Sequence, residues 1–453
     1  MTDRHSRLLV LAVGAAVAAA FADSSIVVLA LPALYTDFHA SLVGVSWVIT
    51  SYNLVVVAGA FALVPFTRRL HVREVTRAGL ALFTAGSIGC AASWELSALI
   101  VFRCVQGLGG ALLLAGALPL LGGLLRGATR GVRVWTATGT FGAAVGPALG
   151  GVLTQLADWR AIFIVQAPVA AAALVATFDR RTHELPREEQ APRRSGSFVA
   201  NAGLAFVFGG LVGALFLSVL LVITVWERRP IAGALIVSAL PAAALLVGPL
   251  ARRMGRRDGV SAGALLLAAG LVGLALLPAV SNALVAISLA FCGLGLGLAV
   301  PALTRDSVDP ERAPLRSGTI TVGARHIGLV AAVALIAPLL THDLDGSETP
   351  ATLAGTRVVM DGGIDLTKKV PIALDMRDEF ETAQRGAIPN LAKPFDSRGA
   401  EHDSGLRHVR NDLLDTLRGV VTRSFRSSFL LSAGFALLAL LPARRLRERE
   451  DSA

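Results

Sequence analysis

Two stretches of the chain, VPFTRRLHVREVTRAGLALF at residues 64–83 and GPLARRMGRRDGVSAGALLL at residues 248–267, carry the same pattern. Aligned without gaps at an offset of 184 positions, they share seven of twenty residues. Each stretch places an arginine-rich segment between two long apolar runs. Chance supplies some matches in sequence rich in Ala and Arg. Because both copies occupy the same place in the order of apolar runs, the pattern indicates two related halves.

Twelve apolar runs surround these stretches. Of the 453 residues, 54% are hydrophobic and 16% are charged, whereas soluble proteins have about 45–50% apolar and about 25% charged residues. This composition excludes an ordinary soluble enzyme and a disordered chain. About 20 apolar residues cross a bilayer core of about 30 Å. The predicted spans cover residues 8–33, 43–66, 78–94, 96–125, 134–156, 161–178, 198–226, 231–250, 260–280, 283–303, 318–340 and 425–441.

The predicted fold class is an all-α membrane protein. Twelve transmembrane helices form two six-helix pseudo-symmetric halves, with a partly helical extracytoplasmic insertion before the last helix. Parallel halves of this kind build a large class of transporters, whose substrate site lies between them near the midplane. The predicted domains are the N-terminal half (1–178), a charged cytoplasmic linker (179–197), spans 7 to 11 (198–340), the insertion (341–424), and span 12 with a cytoplasmic tail (425–453).

The distribution of arginines between the loops predicts the orientation of the spans in the membrane. With a cytoplasmic N-terminus, the inner segments hold 25 arginines and the short outer loops hold three, so both termini are expected in the cytoplasm of an inner-membrane protein. The first run resembles a signal peptide, but it continues through Ile26 and is expected to stay uncleaved. The net charge of +10 favours an anionic lipid surface over nucleic acid as partner. Cys90, Cys104 and Cys292 all lie inside apolar runs, and no metal or cofactor site is predicted.

The insertion at residues 341–424 has a helical pattern near its end. Leu406, Val409, Leu413, Leu417 and Val420 recur at helical spacing, which predicts that helix 12 starts near residue 405 and projects from the membrane. A second amphipathic helix at 366–385, with Ile372, Met376 and Phe380, is expected to pack on it. A tethered, structureless loop is the alternative. His402 and His408 form no metal-like cluster, and this domain is a possible surface for an envelope protein partner.

Two charged residues inside the spans are the first functional candidates, because such residues are costly in a bilayer. Asp23 in span 1 and Arg103 in span 4 lie about 8 and about 10 Å below the outer face at 1.5 Å per residue. They meet if the two spans are neighbours. An apolar site favours a neutral carboxylic acid and a nearby cation favours a carboxylate, so Asp23 is predicted to couple protons. A permanent structural ion pair is the alternative.

Other polar residues within the spans are expected to face a central cavity. Arg103, Gln106 and Gly110 share one face of span 4 at helical spacing. The cavity and substrate candidates are Tyr52, Asn53, Gln106 and Arg325. His326 is either a proton relay or a packing residue.

Four stretches resemble a known transporter family: residues 23–32 (DSSIVVLALP), 99–110 (LIVFRCVQGLGG), 142–151 (GAAVGPALGG) and 159–163 (WRAIF). They are similar, in that order, to the D-x-T-I-V-N-x-A-L-P, R-x-x-Q-G-x-G, span-5 antiporter and W-R-W-I-F motifs of the major facilitator superfamily, in its drug:proton antiporters of the fourteen-helix type. The resemblance implies that Asp23 and Arg103 form the proton-coupling pair and that the cavity is broad and apolar. It also implies an antiporter gate containing Gly142, Gly146, Pro147, Gly150 and Gly151.

The chain departs from this family in the number of spans and in its gating loops. The fourteen-helix members have an extra pair of spans that is not found here. The cytoplasmic motif G-x-L-A-D-R-x-G-R-R is altered, because Arg68 and Arg252 stand at its Asp position in the two copies. The loss of both acids removes the anionic partner of neighbouring arginines and puts the usual gate in doubt. The candidate gating residues are Arg68, Arg69, Arg73, Arg252, Arg253 and Arg257.

These observations predict a proton-coupled secondary transporter that exports hydrophobic or amphipathic small molecules by alternating access. An exporter of lipids or glycolipids to the outer leaflet or envelope is the closest alternative. A membrane sensor or scaffold acting through residues 341–424 is an alternative from another class. No nucleophile, metal cluster or phosphate loop points to an enzyme.

Overall fold

The computed structural model describes residues 2–183, 195–278, 280–361, 369, 371–372, 374–375 and 404–446. Within these ranges the regular structure is helical, and no strand occurs. The main helices are α1 (Thr2–Ile26), α2 (Leu42–Leu63), α3 (Val72–Ala91), α4 (Leu96–Leu124), α5 (Ala128–Leu156), α6 (Arg160–Ala173), α7 (Ser195–Val212), α8 (Pro230–Ala251), α9 (Arg256–Ala275), α10 (Asn282–Ser307), α11 (Pro314–Asp345), α12 (Glu348–Asp361), α13 (Ser404–Ser424) and α14 (Arg426–Leu438).

Twelve of these segments correspond to the predicted spans. Ten helices in the described ranges are long and apolar enough to cross a bilayer. The other two are α3 and α5, whose first two turns carry the charged residues Arg73, Glu74, Arg130 and Arg133. Both lie within the bundle, because α3 packs along α4 and α5 packs along α1. The charged residues lower the mean hydropathy of α3 and α5, although both helices pack inside the bundle.

Several spans are irregular where proline or close packing interrupts the helix. α1 tightens into a 3₁₀ turn at Val27–Ala30 and then continues as Leu31–Phe38 with Pro32 in its first turn. α8 is interrupted at Ser238 and Val247. Pro241 and Pro249 follow these breaks and cannot donate the i→i−4 hydrogen bond. α7 widens into π-helical turns at Gly213–Leu217 and Leu220–Val225, a feature frequent near functional sites.

Each half has its own helix contacts. In the N-terminal half α4 packs on α2 and α3, while α1 packs on α5 and α6. In the C-terminal half α10 packs on α8 and α9, and α7 packs on α11 and α14. The halves meet where α11 contacts α2 and α4 and where α5 contacts α8. These interfaces lie on both sides of the space between the halves.

The insertion contains two described helices. α13 begins at Ser404 and leads into α14 with a single turn residue, Phe425. This confirms the prediction that the helix of the last span starts near residue 405. The predicted apolar stripe is buried with Ala351 of α12 and with Ile372. α12 therefore supplies a packing partner that the sequence did not predict. Most of the predicted helix at 366–385, including Met376 and Phe380, lies outside the described residues, as do His402 and residues 184–194 of the linker.

The α12–α13 contact gives a test of this arrangement. Leu413 is fully buried between the two helices, and truncating a buried leucine to alanine costs about 2–5 kcal/mol. We expect Leu413→Ala in the full chain to speed hydrogen exchange in α12 at least about tenfold, since tenfold corresponds to about 1.4 kcal/mol. Arg407→Ala, an exposed change on the same helix, serves as the control and should leave exchange in α12 unchanged. Unaltered exchange in Leu413→Ala would contradict the packing.

Candidate functional site

A cavity of about 940 Å³ lies between the two halves. Its walls come from α1, α2 and α5 on one side and from α7, α8, α10 and α11 on the other. Most of the lining is aliphatic or aromatic, with Phe21, Phe208 and Phe216 as the largest side chains. The volume is within the range of about 300–1,000 Å³ that holds drug-sized ligands. The cavity is therefore a candidate binding site for an apolar or amphipathic molecule.

The cavity reaches one face of the bundle. Thr129, Arg133, Arg252 and Arg305 line it at helix ends beside the arginine-rich loops. At the opposite end of α5, the side-chain oxygen of Gln155 accepts a hydrogen bond from the Ile231 backbone N–H at 2.9 Å. This contact closes α5 onto α8. The site is therefore open toward the face that the sequence predicts to be cytoplasmic.

A buried ion pair lies behind the α1 wall of the cavity. Arg103 Nη1 lies 2.6 Å from Asp23 Oδ2, and both side chains are fully buried. Arg103 Nε donates to the Val48 carbonyl at 2.8 Å, and its guanidinium stacks over the Tyr52 ring at 4.3 Å. The structure thus brings together the two charged residues that the depth argument placed at the same level. Their role in proton coupling stays a prediction.

Three further side chains complete this polar cluster. Gln166 of α6 donates to Asp23 Oδ1 at 3.1 Å, and Gln106 donates to Gln166 Oε1 at 2.8 Å. Gln106 also accepts from Arg103 at 2.6 Å and donates to Ser87 of α3 at 2.9 Å. Sequence reasoning missed Gln166 and Ser87. The amide of Gln166 inside the apolar run of span 6 was the available signal, because buried amides need hydrogen-bond partners.

The predicted cavity face of α4, and Tyr52 of α2, do not line the described cavity. Tyr52 and Gln106 belong to the buried cluster and are absent from the described cavity lining. The reason is helix phase. Phe21 and Ser25 line the cavity, and Asp23 lies about 200° around α1 from each of them. Asp23 consequently points away from the cavity, and Arg103 and Gln106 follow it into the interior of the N-terminal half.

Three of the other predicted residues line the cavity. Asn53 contributes from α2, and Arg325 and His326 contribute from α11. Arg325 Nη2 donates to Thr304 Oγ1 at 2.6 Å. His326 Nδ1 lies 2.8 Å from the Val322 carbonyl. Since a carbonyl only accepts hydrogen bonds, Nδ1 carries a proton in this contact.

The glycines of α5 allow α1 to approach it closely. A Cβ on Gly142 would collide with the Ala18 carbonyl oxygen, and one on Gly150 would collide with the Ile26 carbonyl oxygen. Gly146 faces Ser25 of α1 in the same way, while Gly151 faces Pro230 and Ala234 of α8. Pro147 is buried among them. The motif therefore joins α5 both to the helix that carries Asp23 and to the opposite half.

The candidate gating arginines have different surroundings. Arg68, Arg69, Arg253 and Arg257 are exposed, and Arg73 contacts the Glu74 carboxylate at 3.0 Å. Arg252 lines the mouth of the cavity. Arg256, the neighbour of Arg257, makes a 2.6 Å ion pair with Asp306 of α10. An acid in α10 thus pairs with the second loop, although the Asp position of its motif holds arginine.

The close α1–α5 contact gives a second test. Adding a methyl group at Gly142 forces atoms into a packed interface and should cost about 1–3 kcal/mol. We expect Gly142→Ala to lower the melting temperature of the purified protein. Gly434→Ala is the matched control, because a Cβ at Gly434 in α14 meets no atom within 4 Å and alanine favours the helix. An equal or higher melting temperature for Gly142→Ala than for Gly434→Ala would contradict the account of α5.

Comparison with known proteins gives a family match and several similar relatives. Residues 13–347 match the Major Facilitator Superfamily. The multidrug resistance protein Stp of Mycobacterium tuberculosis (strain ATCC 25618 / H37Rv) is 27% identical over 424 residues, covering 75% of this chain and 78% of that protein. The tetracenomycin C resistance and export protein of Streptomyces glaucescens is 34% identical over 212 residues, covering 46% of this chain and 39% of that protein. The matched region is thus less than half of the Streptomyces relative.

One solved structure has the same architecture. It is the crystal structure of a bacterial homologue of the human lysosomal transporter Spinster, in an inward-facing and unoccupied conformation. The two chains align with a TM-score of 0.59 at 14% sequence identity, covering 98% of this chain and 99% of the other. At this identity the likeness concerns the fold.

Proposed function

The chain belongs to the Major Facilitator Superfamily, and we propose that it is a proton-coupled transporter that exports hydrophobic or amphipathic small molecules by alternating access. The family match and the relatives make it a multi-pass membrane transporter rather than an enzyme. Relatives named for multidrug resistance and for antibiotic export support efflux as the direction. The observation that carries proton coupling is the buried pair of Asp23 and Arg103 directly behind the cavity wall.

The geometry of this pair explains how one proton can act on the cavity. Protonation of Asp23 removes the negative charge and leaves Arg103 cationic, held by the Val48 carbonyl, Gln106 and the Tyr52 ring. Removing one partner of a buried ion pair costs about 3–5 kcal/mol. A proton moving through 100 mV releases about 2.3 kcal/mol. The two free energies are of the same order. The free energy released by one proton is therefore large enough to weaken the Asp23–Arg103 contact that joins α1 to α4.

α1 would carry that change to the substrate. Phe21 and Ser25 lie two residues on either side of Asp23 and form part of the cavity wall. The same helix is held against α5 through Gly142, Gly146 and Gly150. Loosening the contact between α1 and α4 therefore lets α1 and α5 move together against α8, where α5 closes the cavity. His326 in the opposite wall is a second place where a proton could act.

The orientation completes the proposal. We place both termini on the cytoplasmic side of the inner membrane, because the inner segments hold 25 arginines and the short outer loops hold three, and arginine excess in short loops is typical of the cytoplasmic side. The cavity then opens to the cytoplasm and takes its substrate from there. The α12–α13 pair would lie outside, where it offers a surface to an envelope protein. The apolar stripe of α13 is covered by α12 and is not free to shield lipid acyl chains, which favours small-molecule export over lipid export.

Proton movement in proteoliposomes tests the proposal. We expect a panel of amphipathic compounds and envelope lipids to trigger proton flux in the wild type. Asp23→Asn should reduce that flux at least about tenfold, since the amide cannot exchange a proton. Asp37→Asn is the control on the same chain segment, because Asp37 is half-exposed and accepts a hydrogen bond from the Trp159 indole. Flux in the control should stay within about twofold of the wild type.

The other outcomes have definite meanings. Full flux in Asp23→Asn would make the Asp23–Arg103 pair structural, and His326 would become the proton site to test. Absence of flux for every compound, with protein shown to be folded, would contradict transport by proton coupling and favour a sensor acting through the insertion.

A further inference from the structure

The charges that line the cavity all have one sign. Among the described lining residues Arg133, Arg252, Arg305 and Arg325 are cationic, and neither aspartate nor glutamate occurs. None of these four arginines forms an ion pair with a carboxylate within the part of the chain that the structure describes. The negative charge nearest in sequence, Asp306, pairs with Arg256 instead. An apolar site with this balance attracts an anion and repels a cation.

Membrane orientation explains the positions of three of the four arginines, but it does not explain the position of Arg325. Arg133, Arg252 and Arg305 lie at helix ends beside the loops, where arginine excess sets membrane orientation. Arg325 lies eleven residues into α11, about 16 Å from the helix start at 1.5 Å per residue. The predicted span starts at residue 318, so Arg325 lies about 10 Å inside a core that is about 30 Å thick. Orientation does not require a cation there.

The surroundings of Arg325 leave part of its guanidinium unsatisfied. It is 3% exposed, and its one hydrogen bond in the described residues goes from Nη2 to Thr304. Its Nε is buried without a hydrogen-bond partner among those residues. The rings of Phe21, Trp135 and Phe208 surround it at 5.3, 5.0 and 5.3 Å. These contacts stabilise the cation but cannot accept the remaining N–H donors in the plane of the guanidinium.

From this geometry we infer that the cavity selects amphipathic organic anions, whose carboxylate or phosphate group pairs with Arg325 while the apolar body fills the cavity. A planar guanidinium with free donors matches the two oxygens of such a group. The arginines at the mouth would draw the anion in from solution, and its apolar part would contact Phe208, Phe216 and Leu329. A membrane potential that is negative inside already favours anion exit. The inference rests on the proposed transport site and names its substrate class.

Calorimetric titration of the full chain in nanodiscs of neutral lipid tests this selectivity, with empty nanodiscs subtracted. The probes are 1-pyrenebutyrate, its primary amide and 4-(1-pyrenyl)butylamine, which share an apolar skeleton and differ in head-group charge. We expect the carboxylate to bind at least about tenfold more tightly than the amide, and the amine to bind most weakly. A monophosphate ester of the corresponding alcohol separates phosphate from carboxylate recognition.

Substitutions at Arg325 locate the effect. Arg325→Gln should weaken carboxylate binding at least about tenfold, to the level of the amide, because the charge is lost. Amide binding should stay within twofold, which also shows that the variant is folded. Arg325→Lys keeps the charge without the planar fork and should give an intermediate affinity. Arg312→Gln removes an exposed arginine from the loop before α11 and should change none of the affinities.

Three results would overturn the inference. They are equal or tighter binding of the amine in the wild type, a parallel loss of carboxylate and amide binding in both Arg325 variants, and failure of the carboxylate and phosphate probes to bind. The titration uses no proton gradient, so its outcome is separate from the flux assay. Proton-coupled flux of cationic compounds would support the proposed function while contradicting anion selection. Tight anion binding without proton flux would support anion selection while contradicting the proposed proton coupling.

Discussion

The buried contact between Asp23 and Arg103 is the interaction on which the N-terminal half depends. Two full charges lie 2.6 Å apart with no exposure to solvent, an arrangement that is costly unless the remaining donors and acceptors are paired. Side chains from α3, α4 and α6 supply most of those partners, while Arg103 Nη2 is buried without a hydrogen-bond partner among the described residues. The cluster thus ties α1 to three neighbouring helices through hydrogen bonds. A change in the charge of Asp23 therefore alters the hydrogen bonds that connect α1 with α3, α4 and α6.

In the proposed mechanism, the placement of this cluster separates the proton site from the substrate site. Helix phase turns Asp23 into the N-terminal half, while Phe21 and Ser25 face the cavity. The α5 glycines hold α1 close to the helix that closes the cavity against α8. One helix, α1, therefore carries a member of the ion pair, lines the cavity and packs on α5, the helix that makes the closing contact. Such a helix can pass the consequences of one protonation to both the wall and the gate without direct contact between proton and substrate.

Sequence alone predicted most of the fold and part of the site. Long apolar runs and the paired arginine-rich loops predicted the helical halves, because a bilayer leaves few alternatives to helices. The rise of 1.5 Å per residue predicted that Asp23 and Arg103 lie at a similar depth in the membrane. The rotations of α2 and α4 could not be predicted, since the faces of an all-round apolar helix are not distinguished by hydrophobic pattern. Tyr52 of α2 and Gln106 of α4 were placed in the cavity for that reason, whereas both belong to the buried cluster. Gln166, Ser87 and the α12–α13 contact join residues far apart in sequence, which no local pattern reveals.

Proton coupling requires that Asp23 takes up and releases a proton, and infrared difference spectroscopy detects that change. Spectra of the purified protein would be recorded across a pH series, with and without bound compound, for the wild type and for Asp23→Asn. If Asp23 is the coupling residue, we expect a neutral carboxylic acid band that appears on acidification, shifts when compound binds, and is absent from Asp23→Asn. A wild-type pH difference spectrum identical to that of Asp23→Asn, with and without compound, would mean that Asp23 does not change its protonation state, and it would contradict proton coupling through Asp23.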